Sequence, residues 1–191
     1  MIEFETAYPS PQPEQSKKRE DHLYDIKDNS VDYIERLDQC ENFQDIYSLV
    51  KRSVKKTLNQ ERVGLMLYLM DLPLGLGAFH EVGSNGIVMN RTLLEEVTRS
   101  ASSKREVNAF VYSILLHEYL HALGYLDENE TRRMTYQVSN ETFGPHHTTT
   151  KMAEIGPWTY LKLNPINSGH RYSREIEIVK DFEIPKHRYI V

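Results

Sequence analysis

The fold of this chain is decided by the stretch His117-Glu118-Tyr119-Leu120-His121-Ala122-Leu123-Gly124. It closes a run, residues 104–123, in which apolar residues recur at helical spacing, so we predict one long helix that is strongly apolar on one side. Gly124 then stops the helix, because glycine readily adopts the left-handed conformation that ends many helices. The two histidines lie four residues apart in this helix, and their imidazoles therefore face the same side.

The segments before this helix predict further helices and a small sheet. Residues 31–59 carry apolar side chains at three- and four-residue steps and predict helix in two pieces. Residues 62–70 are rich in Val, Leu, Met and Tyr and predict a strand. Residues 78–82 and 86–90 predict the two arms of a hairpin, because the intervening Gly-Ser-Asn-Gly tolerates the positive φ angles of a turn.

Three further segments complete the predicted domain. Residues 92–98 and about 152–161 predict short helices. Residues 127–141 predict a longer helix, opened by Asp127 with Glu130 three positions later, which is similar to a capping box. The mixture of helices with one small group of strands predicts an α+β fold in a single domain.

Composition divides the chain into three parts. Residues 1–22 contain three prolines and a Lys-Lys-Arg cluster and predict a flexible tail. Residues 23–163 contain the predicted elements and are assigned to the folded domain. Residues 164–191 carry strand-like apolar runs and predict an extended C-terminal extension.

The bulk properties exclude several classes of function. The net charge of −5 argues against a broad basic surface, so no nucleic-acid partner is expected. The single cysteine, Cys40, can form no intramolecular disulfide bond. The N-terminal residues lack the features of a signal peptide, and no stretch approaches the roughly 18 apolar residues of a membrane span. We therefore expect a cytoplasmic protein without membrane contact.

The residue types of the motif suit a catalytic zinc site. Imidazole is a common zinc ligand, and His117 and His121 can point at one ion. Glu118 can reach a water bound to that ion, whose pKa zinc lowers to about 7. A carboxylate in this position can take the proton of the water and later give it to a leaving amine. We therefore expect one catalytic Zn²⁺, with both histidines as ligands and Glu118 as the base.

The pattern His-Glu-x-x-His in this setting resembles the zincin metallopeptidases, and the resemblance covers about residues 63–141. It implies a zincin-like domain, in which a small twisted sheet lies over the active-site helix and the following helix carries a ligand. It also implies hydrolysis of peptide bonds. In zincins a peptide or protein substrate pairs with the edge strand before the motif helix, which here is residues 78–82 or 86–90.

The third zinc ligand stays open between two residues. The chain resembles the small archaeal minigluzincins in size and layout. In gluzincins the helix after the motif supplies a Glu as the third ligand. Glu130 fits this role, because it shares the apolar face of that helix. In the metzincin pattern HExxHxxGxxH, Gly124 matches and Asp127 stands at the last place. Asp127 could instead be only a helix cap, and Glu130 only its capping-box partner. Glu128 pairs at four-residue spacing with Arg132 and is expected to face solvent.

Several residues further along the chain are additional candidates. Met152 could serve as the Met-turn of a metzincin. Glu141 lies at a spacing typical of larger gluzincins. His146 or His147 could bind zinc or donate a hydrogen bond to the developing oxyanion. Tyr125 is another candidate oxyanion donor, with simple packing as the alternative reading.

Two other functions compete with the peptidase. Bacterial ribosomal-RNA maturation endoribonucleases carry a similar HGxxHxxGYDH pattern, and His-x-x-Gly-Tyr recurs here at residues 121–125. The chain departs from that pattern, because Glu118 replaces the glycine and the last histidine is absent. The remaining alternative is a non-catalytic zinc-binding scaffold, against which the intact Glu118 argues.

The C-terminal extension suggests a form of regulation. Residues 164–191 contain strand-like runs and could pair with the edge strand and occlude the cleft, which would keep the enzyme latent. A structural strand or a flexible end is the alternative for this segment.

Overall fold

The computed structural model describes residues 32–163 and 175–183. The predicted tail at residues 1–22 lies outside the described residues, as do residues 164–174 and 184–191 of the predicted extension. The described part of the chain contains seven helices and four strands, which confirms the α+β class. None of these helices combines the length and the apolar character that crossing a membrane requires.

The elements follow the order expected from the sequence. The helices are α1 (residues 32–39), α2 (Phe43–Leu58), α3 (Arg91–Ser100), α4 (Lys104–Ala122), α5 (Glu128–Phe143), α6 (Thr148–Ile155) and α7 (Pro157–Tyr160). The strands are β1 (Met66–Met70), β2 (Ala78–His80), β3 (Gly86–Asn90) and β4 (Glu177–Ile178). The single helix predicted at residues 152–161 is instead two helices, because Gly156, at φ +85°, separates α6 from α7.

The four strands form one mixed sheet in the order β2-β3-β1-β4. β2 and β3 pair antiparallel, as predicted for the hairpin, with Phe79 opposite Val88. β1 runs parallel to β3, with Tyr68 opposite Val88. Of the two strands considered for substrate pairing, β2 therefore forms an edge of the described sheet, and β3 lies inside it.

Helix α4 packs against β2 and against α2, α5 and α6. The sequence predicts an apolar side for this helix, but the structure buries residues around most of its circumference, including Asn108. The side-chain amide of Asn108 donates hydrogen bonds to the carbonyl oxygens of Leu37 and Cys40, at 2.8 and 3.1 Å, and this compensates its burial. The motif is therefore carried by a helix that is held from several sides.

Local sequence determines both ends of α4. The Ser103 hydroxyl accepts a hydrogen bond from the backbone N–H of Glu106 at 3.3 Å and caps the first turn. At the other end Gly124 has φ +104°, a conformation that side chains other than glycine rarely adopt. Beyond it, the backbone N–H of Tyr125 donates to the carbonyl of Leu120 at 3.2 Å. The chain turns here, so that α5 packs back on α4.

The described part of the extension, residues 175–183, attaches to the sheet edge opposite β2. β4 pairs antiparallel with β1. Phe182 is 3% exposed, and its ring stacks on Tyr47 with centroids 4.2 Å apart. Glu183 forms an ion pair with Lys51 and accepts hydrogen bonds from two backbone N–H groups ahead of β1, at 2.8 and 3.0 Å. Residues 175–183 therefore do not make the pairing with β2 that latency would require.

Truncation of Phe182 tests whether this segment belongs to the folded domain. Phe182→Ala should lower the free energy of unfolding by about 3 to 5 kcal/mol, because a buried ring and its stack on Tyr47 are lost. The control Ile176→Ala removes a side chain that is 56% exposed and should change stability by less than about 0.5 kcal/mol. Urea unfolding of the full chain, followed by circular dichroism, measures both. Equal midpoints for Phe182→Ala and the wild type would contradict this assignment.

Candidate metal centre

Helix α4 brings the two histidines of the motif together near its C-terminal end. His117 and His121 lie one turn apart on the same face and both line a cleft. Their Nε2 atoms are 3.1 Å apart, and their ring centroids are 4.7 Å apart. At this separation the two nitrogens either share a proton or are positioned to bind one ion.

The third side chain at this place is Glu128, the first residue of α5. Its Oε2 atom lies 3.4 Å from Nε2 of His117 and 3.4 Å from Nε2 of His121. Within residues 32–163 and 175–183, these three side chains form the His, Cys, Asp and Glu group that could hold a metal ion. The turn at Gly124 makes this possible, because it reverses the chain between the two helices.

The spacing of the three donor atoms suits a tetrahedral ion. Zinc binds nitrogen and oxygen at about 2.0 to 2.2 Å, so two donors of one tetrahedral site lie about 3.3 to 3.6 Å apart. The observed separations of 3.1, 3.4 and 3.4 Å come within a few tenths of an ångström of this range. Two imidazoles and one carboxylate also match the donor set of known catalytic zinc sites. The residues present therefore fit the ion that the sequence implied.

The structure places neither Glu130 nor Asp127 with the histidines, although the sequence favoured these two as third ligand. Asp127 caps α5, with its carboxylate accepting a hydrogen bond from the backbone N–H of Glu130 at 2.8 Å. The Glu130 carboxylate lies 3.8 Å from Arg133 on the exposed side of the helix. Glu128 pairs with Arg132 and is half exposed to solvent, as the sequence predicts, but its Oε2 atom also reaches both histidines.

This difference arises from the buried face of α5. In the sequence, the apolar residues Met134 and Val138 predict which face of α5 is buried. In the structure the buried face also includes Thr131 and Thr135. Glu128 precedes these threonines by three and seven residues and therefore shares their side of the helix. An apolar pattern does not include buried threonines. The inward face predicted for α5 therefore leaves out the side of the helix on which Glu128 lies.

Second partners hold two of the donors in place. Nδ1 of His121 lies 2.7 Å from the carbonyl oxygen of Tyr125. Because a carbonyl only accepts hydrogen bonds, Nδ1 carries the proton and Nε2 keeps its lone pair for the site. Oε1 of Glu128 accepts a hydrogen bond from Nε of Arg132 at 2.8 Å, which leaves Oε2 for the histidines. Tyr125 thus contributes its carbonyl, while its ring packs against the core.

Glu118 is the ionisable residue that burial affects most strongly in the cleft. It is 5% exposed, and Oε2 has no hydrogen-bond partner among the described residues. Burial raises the pKa of Glu118 to about 8, the charge of Glu128 adds to this, and a backbone hydrogen bond from His80 acts in the opposite direction. A buried carboxylate with an unsatisfied oxygen is costly to the fold and is typical of functional sites.

The pKa shifts of the donors favour the protonation states that a cation needs. Burial lowers the pKa of His117, although the nearby charge of Glu128 partly opposes this. Burial alone would raise the pKa of Glu128, but the hydrogen bond from Arg132 and the charges of His117 and His121 outweigh it and lower the pKa. Neutral imidazole and ionised carboxylate are the metal-binding forms of these groups.

The four side chains line one cleft with a volume of about 810 Å³. Residues 75–80 form one wall, and residues 152–159 at the end of α6 and in α7 form another. Gly77 marks a close approach between them, because a Cβ atom there would lie 2.9 Å from both Ile114 and Trp158. The cleft therefore runs between the β2 edge of the sheet and the α6–α7 segment, with α4 behind it.

The remaining sequence candidates lie elsewhere. His147 caps α6, with Nδ1 accepting a backbone N–H at 3.3 Å, and its ring stacks on Phe143. His146 and Glu141 are exposed and are not among the residues that line the cleft. Met152 does line the cleft, but it lies within α6 and is not part of a turn.

Arg62 was not recognised in the sequence, yet it joins the motif helix to the hairpin. Its guanidinium donates to the carbonyl of Ala122 at the end of α4 and, at 2.7 Å, to the carbonyl of Ser84 in the hairpin turn. The backbone N–H of Arg62 also lies 2.7 Å from the hydroxyl of Tyr119, inside the motif. No local pattern predicts contacts between residues so far apart in the chain. The contacts of Arg62 hold the hairpin, which carries β2, beside the metal-capable group formed by His117, His121 and Glu128.

Comparison of the chain with protein-family models, with curated proteins and with solved structures gives no match. The side chains of the cleft are therefore the basis for inferring a function. Two imidazoles and a carboxylate can bind one divalent ion, and a second, buried carboxylate lies beside them. This combination suits the activation of a water molecule.

Replacement of His147 tests its placement as a half-buried cap. Burial lowers the pKa of His147 to about 4 from 6.5, so the unfolded chain takes up a proton between these pH values before the folded chain does. The stability that the neutral ring provides is therefore complete above pH 6.5 and is lost as the pH falls toward 4. His147→Asn keeps a capping side chain and should reduce the loss by up to about 1.4 kcal/mol per pH unit.

The measurement is the free energy of unfolding as a function of pH. His146→Asn, at an exposed position, is the matched control and should follow the wild type. If His147→Asn also followed the wild type between pH 6.5 and 4, the burial of His147 would be contradicted.

Proposed function

We propose that the protein is a zinc-dependent metallopeptidase that hydrolyses peptide bonds, with one catalytic Zn²⁺ held by His117, His121 and Glu128. The observation that carries the proposal is the convergence of three donor atoms, at separations of 3.1, 3.4 and 3.4 Å, beside the buried carboxylate of Glu118. A structural role would explain the two histidines as a hydrogen-bonded pair, but it leaves the buried oxygen of Glu118 unsatisfied.

The donor set favours zinc over other common ions. Mg²⁺ and Ca²⁺ prefer oxygen ligands, whereas two of the three donors here are imidazole nitrogens. When bound, zinc would polarise the scissile carbonyl and lower the pKa of a water molecule toward about 7. Arg132 and the Tyr125 carbonyl support the site by orienting Glu128 and His121.

Glu118 acts first as general base and then as general acid. In its ionised form, the carboxylate takes a proton from the attacking water as the water oxygen bonds to the carbonyl carbon of the substrate. It then gives that proton to the leaving nitrogen as the C–N bond breaks, so the products are a carboxylic acid and an amine. Its position directly after His117 keeps it in the cleft beside the three donors.

The peptide is proposed to bind along β2. This strand is an edge of the described sheet and lines the cleft. The backbone of His80 hydrogen-bonds the carboxylate of Glu118, so the backbone groups on that side of β2 face the site. Since the backbone groups of alternate residues point the same way, the backbone of Ala78 and the carbonyl of His80 are offered to a peptide that adds as a further strand.

The layout supports a zincin-like domain of the glutamate-ligand type. The order from β1 through the hairpin and α3 to α4 and α5 is the order that the resemblance implied. Glu128, on the helix after the motif, takes the place of the gluzincin ligand. The metzincin alternative would need Asp127 as a ligand, and the carboxylate of Asp127 is instead engaged as a helix cap.

Measurement of zinc affinity distinguishes Glu128 from Glu130 as the third zinc ligand. Glu128→Gln should weaken zinc binding by more than about 100-fold, because loss of a supporting partner alone costs 10- to 100-fold in such sites. Glu130→Gln makes the same chemical change two residues away and should leave the affinity within about threefold of the wild type. Competition with a chromophoric chelator at pH 7 measures both. A larger loss for Glu130→Gln would contradict the ligand assignment.

Hydrolysis by the zinc-loaded protein tests the proposed activity. Glu118→Gln should retain zinc but lower kcat/KM for a quenched fluorescent peptide by about 100- to 10,000-fold, because the proton carrier is lost. The control Glu81→Gln, an exposed carboxylate near β2, should leave the rate unchanged.

Two outcomes would contradict the peptidase. Cleavage of RNA, abolished by Glu118→Gln, without cleavage of any peptide would favour a metal-dependent endonuclease. Zinc binding by both proteins without cleavage of either polymer would favour a non-catalytic scaffold.

A further inference from the structure

The cleft is lined by large apolar side chains that are exposed to water. They are Leu76, Phe79, Val82, Leu126 and Ile155, each at least 38% exposed. The half-buried Trp158 adds further apolar surface, and the buried Ile114 also lines the cleft. A contiguous group of exposed apolar side chains around a cleft is typical of a binding surface, whereas single exposed ones are ordinary.

Three contacts show how β2 runs relative to the motif helix. Gly77, ahead of β2, approaches Ile114. The backbone of His80 contacts Glu118, four residues further along α4. Arg62 joins the hairpin turn to the end of α4. The chain from Gly77 to the turn therefore runs alongside α4 in the same direction, with Glu118 near the middle.

This direction places four of the five exposed apolar side chains in two groups. Leu76 and Ile155 lie with Gly77 and Trp158 at the Ile114 end. Val82 follows β2 toward the hairpin turn, and Leu126 directly follows Tyr125, whose carbonyl contacts His121. Apolar surface is thus present on both sides of the metal-capable group.

The charged side chains of the cleft are mostly paired within the protein. The Arg132 guanidinium bonds Glu128 at 2.8 Å. Glu154 bonds Lys151, also at 2.8 Å. A charged substrate side chain would have to compete with these pairs, whereas an apolar one only displaces water from Leu76, Leu126 or Ile155.

We propose that the substrate is an extended polypeptide segment with large apolar side chains on both sides of the scissile bond. The inference rests on the proposed peptidase function and adds the class of substrate. Such side chains are mostly buried in folded proteins. The natural substrates are therefore unfolded chains or flexible apolar segments, which can also adopt the extended conformation that pairing with β2 requires.

Binding can be measured without hydrolysis, because Trp158 is the single tryptophan of the chain and lines the cleft. The zinc-loaded Glu118→Gln protein is titrated with two peptides of equal length and charge, one with Leu and one with Ser on each side of the central bond. The Leu peptide should change the Trp158 fluorescence and saturate it at a concentration about 10- to 100-fold lower than the Ser peptide. Equal saturation concentrations would overturn the inference.

Variants with a matched control locate the effect in the cleft. Leu126→Ser and Ile155→Ser, one at each end, should each weaken binding of the Leu peptide by about 10-fold and leave the Ser peptide unaffected. The control Ile178→Ser lies on β4 at the opposite sheet edge, and its side chain is as exposed, at 53%, as that of Ile155, at 50%. A loss in the control as large as in the two cleft variants would also overturn the inference.

Cleavage by the wild-type protein separates this inference from the function on which it rests. Preferential cleavage of the Leu peptide supports both. Equal kcat/KM for the Leu and Ser peptides would overturn the substrate class while leaving the peptidase intact. Tighter binding of the Leu peptide without cleavage of either would overturn the peptidase, and with it the assignment of such segments as substrates.

Discussion

Helix α4 carries three ionisable side chains, those of His117, Glu118 and His121, into a largely buried and apolar setting. Polar groups taken out of water need partners, and each one left without a partner costs the fold about 1 to 3 kcal/mol. The protein supplies some of them, with the Tyr125 carbonyl on His121 and the His80 backbone on Glu118. The Nε2 atoms of His117 and His121 face each other, and Oε2 of Glu118 has no hydrogen-bond partner among the described residues. A bound cation would compensate that remaining cost for the histidines.

The structure around α4 delivers the third donor and holds the substrate strand. Gly124 reverses the chain, and Asp127 caps α5 so that its first residue, Glu128, faces the histidines. Arg62 ties the hairpin to the other side of the same helix end. Donors and edge strand are therefore positioned by separate parts of the chain that meet at the end of α4.

The features that were predictable from the sequence depend on neighbouring residues. The helix stop at Gly124, the hairpin turn and the Asp127 cap each follow from the conformational or hydrogen-bonding preference of one or two residues. The burial of Glu118 and the proximity of the two histidines follow from a helical repeat in an apolar setting. The face of α5 was misplaced, because Thr131 and Thr135 are buried without being apolar.

The features that could not be predicted depend on distant contacts. The parallel pairing of β1 with β3, the attachment of β4 and the contacts of Arg62 join segments with no shared sequence pattern. Whether β2 or β3 was the edge strand also depended on that pairing. Local propensities constrain single elements, whereas sheet order is decided by which elements pack together.

The most direct test is the position of zinc in crystals of the full chain grown with the metal. An anomalous difference map calculated from data on either side of the zinc absorption edge locates the ion independently of the protein coordinates. We expect one strong peak within about 2.0 to 2.2 Å of His117 Nε2, His121 Nε2 and Glu128 Oε2. A peak at another group of side chains, or the absence of a peak between these three atoms, would contradict it.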